Sequence, residues 1–74
     1  MSISKRIKET RKMFKLTQED FGSKIGISQR MVSKIENDKC KIKSEHLKKI
    51  LEIFSINPNW LIFGKGDVLR DEFE

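Results

Sequence analysis

Gln29 and Arg30, followed one helical turn later by Ser33 and Lys34, are the side chains in this sequence best suited to specific recognition. They open the segment QRMVSKIE directly after Gly26, Ile27 and Ser28. A glutamine amide offers a donor and an acceptor side by side, and so matches the edge of adenine in two bonds. An arginine fork does the same for O6 and N7 of guanine. Ser33 and Lys34 come next within reach of a base or a phosphate. Taken singly, each of the four is ordinary exposed surface; what gives them weight is their place in the pattern.

Little else in the chain offers chemistry. It has one His and one Cys, no Ser/His/Asp or Cys/His arrangement and no glycine-rich phosphate loop. No catalysis, cofactor, metal or small-molecule substrate is expected, and a single Cys cannot form an internal disulfide. Cys40 reads as a free, incidental thiol in a basic loop, and His46 as a surface residue.

The elements that must hold the four side chains can be read from punctuation. Ser4 is a plausible N-cap for a first helix reaching Phe14, with Ile3, Ile7, Thr10 and Phe14 along one face. Thr17 opens a second helix, where Glu19 and Asp20 suit the positive end of the dipole and Phe21 and Ile25 form the buried stripe. Gly26 stops that helix, and Ser28 caps a third whose inward positions are Val32 and Ile35. The polar, basic stretch from Asn37 to Lys43 reads as a loop. Ser44 caps a fourth helix bearing Leu47, Ile50, Leu51 and Phe54. Asn57 and Pro58 begin a fifth, with Pro at the first helical position, and Gly64 ends it. No segment alternates with a period of two, so the fold class is all-α, a compact five-helix domain.

Two short helices joined by a tight turn make a helix-turn-helix. Gly22 supports that assignment, because a small residue is needed where the second helix presses on the third, despite a propensity cost of about 1 kcal/mol. The recognition helix of such a unit places its N-terminal side chains on base edges in the major groove.

Charge fits a polyanionic partner. The 74 residues carry a net charge of +5, and since residues 67–74 hold four acids and one Arg, net −3, residues 1–66 carry +8. Nucleic acid suits that excess. An anionic membrane surface does not, because no aromatic stripe runs along the outer faces. No apolar run approaches a membrane span, and the first residues lack the apolar core of a signal peptide, so a soluble, cytoplasmic protein is expected.

Three stretches carry a resemblance to a known family. RIKETRKMFKLTQEDFGSKIGIS (Arg6 to Ser28), MVSKIEND (Met31 to Asp38) and INPNWLIFGKG (Ile56 to Gly66) resemble the Cro/cI-type (Xre) helix-turn-helix repressors of phages and bacteria. The resemblance runs from residue 3 to about residue 66 and is very close to lambdoid phage repressor headpieces and Cro proteins. It implies a five-helix repressor-like fold, a homodimer at least on DNA, and a double-stranded operator with two half-sites. It also implies that Gln18 contacts a phosphate and braces Gln29, and that Arg11 and Glu36 form a buried ion pair. Further backbone contacts fall to Thr17, Ser28, Asn37, Lys39, Lys41 and Lys43, and the dimer interface to Pro58, Trp60, Leu61 and Phe63. The sequence departs from the family pattern at Lys15 and Asp38, where Gly is frequent, and at Gly22, where Ala is usual. The first two positions therefore call for φ > 0.

The reading is a sequence-specific, phage-type transcriptional repressor acting at the bacterial nucleoid. Residues 1–66 form the DNA-binding domain, and residues 67–74 an acidic tail or the start of a linker. The rival is an antitoxin-like or partner-binding module of the same fold, for which the tail residues Val68, Leu69 and Phe73 would supply the contact.

Overall fold

The computed structural model describes residues 2–70, in which five helices follow one another: α1 (Ile3–Met13), α2 (Gln18–Ile25), α3 (Gln29–Glu36), α4 (Ser44–Ile53) and α5 (Pro58–Phe63). Their apolar faces meet in one core made of Ile7, Phe21, Ile25, Val32, Ile35, Ile50, Phe54, Ile56 and Leu61. Phe21 stacks on Phe54 with ring centroids 5.4 Å apart, and Phe14 leans on the same ring at 4.9 Å. The three rings join α2, the end of α1 and the end of α4. None of the helices among the described residues is long and apolar enough to cross a membrane.

The helix ends follow the local chemistry, with two corrections. The side chain that caps α1 is Ser2, whose hydroxyl accepts from the Lys5 N–H; Ser4 lies inside the helix, buried, and donates to the Asp38 carboxylate at 3.1 Å. The N-cap of α4 is Lys43, with no side-chain cap bond, so Ser44 is the first helical residue rather than the cap. At α2, α3 and α5 the side chains of Thr17, Ser28 and Asn57 accept backbone N–H bonds in the expected N-cap positions.

Lys15 and Asp38 adopt φ of 57° and 61°, the left-handed region expected of positions where Gly is frequent. Ser55 does the same at 52°, with no glycine pattern to announce it. From Ser55 the chain runs into an antiparallel bridge between Ile56 and Leu69, flanked by Asn57 N–H to the Val68 carbonyl and Arg70 N–H to the Ser55 carbonyl. Val68 packs against the core. Residues 67–70 are thus tied to the helical body, because the bridge pairs backbone groups left over between α4 and α5. Residues 71–74, including Phe73 of the partner-binding alternative, lie outside the described residues.

Arg6 was not singled out by its sequence context, yet it is buried. Its Nε donates to the Leu61 carbonyl at 2.7 Å and its Nη2 to the Ile62 carbonyl at 3.0 Å. A guanidinium at the end of a helix satisfies carbonyls that have no partner within it and meets the negative end of the dipole. This contact fastens α5 to α1.

Candidate nucleic-acid interface

The turn between α2 and α3 is set by Gly22 and Gly26. Gly26 takes φ of 87° and donates its N–H to the Gly22 carbonyl at 2.8 Å; Ile27 N–H shares the same acceptor at 2.9 Å. The chain then bends so closely over α2 that a Cβ on Gly22 would stand 2.5 Å from the Ile27 carbonyl oxygen and 3.1 Å from a Val32 methyl. Val32 and Ile35 face the core, which turns the opposite side of α3 outward.

Gln29, Arg30 and Lys34 are exposed on that outward side, and Ser33 is half-buried beside them. Asn37 holds Ser33, donating its side-chain amide to the Ser33 carbonyl at 2.8 Å and to Oγ at 3.4 Å. Thr17 and Ser28, at the beginnings of α2 and α3, are exposed and use a hydroxyl lone pair to cap their own helices. Each hydroxyl proton remains available to an acceptor outside. Asn37, Lys39, Lys41 and Lys43 are exposed along the loop that follows α3.

Beneath this surface runs a continuous polar row. Arg11 grips Glu36 at two points, Nε to Oε2 at 2.7 Å and Nη2 to Oε1 at 3.1 Å, and its Nη1 donates to the Leu16 carbonyl at 2.9 Å. Glu36 Oε1 also accepts from Gln18 Nε2 at 3.2 Å. Gln18 Oε1 in turn accepts from Gln29 Nε2 at 2.9 Å. The direction of each bond follows from its chemistry. An ionised carboxylate only accepts, so Gln18 must turn its NH₂ toward Glu36 and its oxygen toward Gln29. Gln29 is left with its carbonyl oxygen and one amide N–H facing outward.

A model of the helix-turn-helix domain family matches residues 4–67. The chain belongs to that family. The helix-turn-helix domain is also similar to two solved structures of the P22 c2 repressor. One is the crystal structure of that repressor in complex with synthetic operator 9T in the presence of Tl⁺, with a TM-score of 0.79 at 25% identity, covering 88% of this chain and 98% of that one. The other is the solution structure of its DNA-binding domain, residues 1–76, with a TM-score of 0.76 at 26% identity, covering 92% and 87%.

The α5 region divides the four residues expected at a dimer contact. Pro58 is exposed, Trp60 half-buried and Phe63 67% exposed, with Ile62 beside it at 38%. Leu61 is fully buried and belongs to the core, so it cannot touch a second copy. The helical period explains the correction: Leu61 faces α1, where Arg6 caps the helix end, while Phe63 lies two residues on and points away.

Proposed function

We propose that this helix-turn-helix domain is an operator-binding repressor that reads two half-sites as a homodimer. Family and fold make it a DNA-binding transcriptional regulator of the phage-repressor type, with double-stranded DNA as partner. The observation that carries the finer reading is the row from Arg11 through Glu36 and Gln18 to Gln29. It presents one outward carbonyl and one outward N–H at the start of an exposed helix, the pairing that the N6/N7 edge of adenine requires.

Arg30, beside it, takes guanine. Ser33 and Lys34 reach the following base or phosphate, and Thr17, Gln18, Ser28, Asn37, Lys39, Lys41 and Lys43 hold the phosphates on either side. Exposed Phe63, with Pro58 and Trp60, meets the same patch of a second copy, an isologous contact. A two-fold dimer sets its recognition helices about 34–36 Å apart, one turn of DNA. Repression is by occupancy: the operator is covered, no bond is made or broken, and no cofactor takes part. Such a regulator works in the cytoplasm, at the nucleoid.

Selection of bound DNA from a random pool at fixed salt tests the reading. The expected product is a pseudo-palindrome with adenine and guanine at matching places in both halves. A pool that stays random, or that is enriched identically by Gln29→Ala protein, would remove the base-reading assignment. Sedimentation equilibrium tests the dimer. Phe63→Arg is expected to shift the protein toward monomer with its helical circular dichroism unchanged, and unchanged association would move the interface elsewhere.

A further inference from the structure

On the flank of α3 turned away from Gln29, a small groove of about 110 Å³ opens between the recognition helix, the following loop and α4. Ile27 and Ile35 form part of its wall, and Met31, Cys40, Lys41, Lys43 and His46 form the rest. The Cys40 Sγ stands 3.7 Å from the Met31 Sδ, and 3.6 Å from the Lys41 carbonyl oxygen. A thiol, a thioether and an imidazole therefore share one half-enclosed space, and none of the three is among the proposed base or phosphate contacts. Among the described residues no group of three His, Cys, Asp or Glu gathers, so any metal site must draw on thioether sulfur as well.

We propose that Cys40, Met31 and His46 form a binding site for a soft monovalent cation of the Cu(I) or Ag(I) kind. Thiolate and thioether sulfur select such ions over the harder divalent metals, and imidazole completes the set. The sulfur spacing suits one ion. Taking the zinc–thiolate bond of about 2.3 Å as the scale of a metal–sulfur bond, two sulfurs 3.7 Å apart subtend roughly 107° at the metal. That bent arrangement leaves a third position for an imidazole, and His46 lines the same groove. On binding, the thiol proton leaves to solvent and the metal–sulfur bond replaces it. A monovalent ion on a thiolate adds no net charge, so the neighbouring Lys41 and Lys43 do not oppose it. The ion would join the recognition helix to the loop that carries those lysines.

Competition for Cu(I) against a chromogenic chelator under nitrogen, with native mass spectrometry of the whole chain, tests the site. Wild-type protein is expected to take up one ion per chain. Cys40→Ser is expected to abolish uptake, and Met31→Leu and His46→Gln each to weaken it about tenfold or more, with circular dichroism unchanged in all three. The Met31 methyl resonance of wild-type protein should shift on loading. If Met31→Leu or His46→Gln protein bound Cu(I) as tightly as wild type, or if the Met31 methyl did not move, a lone thiol would account for the binding and the site would be overturned. This outcome is independent of the operator reading, because DNA is absent from the experiment.

Discussion

Arg11 and Glu36 meet in a two-point contact that is nearly sealed from water, with side-chain exposures of 13% and 2%. Removing one partner of such a pair leaves the other charge buried without compensation, which costs about 3–5 kcal/mol. Arg11→Met should therefore lose about that much in urea denaturation. The double variant Arg11→Met, Glu36→Met should recover a large part of it. An Arg11→Met protein as stable as wild type would show that Glu36 finds other support.

The close approach of Ile27 to Gly22 leads to a second expectation. Alanine at position 22 gains about 1 kcal/mol in helix propensity, but its Cβ would stand 2.5 Å from a backbone oxygen that cannot swing aside. Overpacking of this kind costs about 1–3 kcal/mol. Gly22→Ala should melt at or below the wild-type temperature, and Gly22→Val several degrees lower still. The same variants should lose DNA affinity, since the forced shift lies between α2 and α3.

Arg30 and Lys41 should fail in different ways under gel shift. Arg30→Ala is expected to weaken the preferred operator by about 1–3 kcal/mol and to relax preference at one base position in each half-site. Lys41→Ala should weaken all sequences nearly alike and lower the slope of log affinity against log salt by about 1 per lost contact. If the two variants behaved identically, the division between base and phosphate contacts would be wrong.

Two left-handed residues offer a contrast in stability. Lys15 sits at φ 57°. Glycine there relieves a left-handed backbone cost of roughly 1–2 kcal/mol against a chain-entropy loss of about 0.5–1 kcal/mol, so Lys15→Gly should raise the melting temperature by a few degrees. Asp38 is equally left-handed, at φ 61°, but its carboxylate accepts the Ser4 hydroxyl. Asp38→Gly gives up that bond, worth about 0.5–1.5 kcal/mol, and should leave stability nearly unchanged. Differential scanning calorimetry distinguishes the two.

What the sequence disclosed was mostly local. Thr17, Gly26, Ser28, Asn57 and Gly64 act within their own turn of chain, and each stands at the helix end its chemistry favours. The α1 cap is Ser2 rather than Ser4, which the sequence does not separate, since the two are equally good caps one residue to either side of Ile3. Arg6 was hidden for a different reason: nothing near it in sequence indicates that the carbonyls of Leu61 and Ile62 come to it. The Ile56–Leu69 bridge is a single non-local pair, too short to imprint an alternating pattern. Within the candidate site, the exposed residues of α3 could be read from helical period. The Met31–Cys40 approach could not, since the loop between them has no period at all.

Glu36 can accept hydrogen bonds but, when ionised, cannot give one, and this gives the row of side chains above it a sense of direction. Each amide copies the orientation of the one below, so the face that Gln29 turns outward is dictated from the interior. Under the proposed reading, the choice of base is then stored partly in a residue that never meets DNA. Glu36→Gln would keep every letter at the surface while erasing that instruction, because both glutamines could then turn over together. Surface residues can drift and re-optimise one at a time; a preference written this deep can change only when the core changes with it.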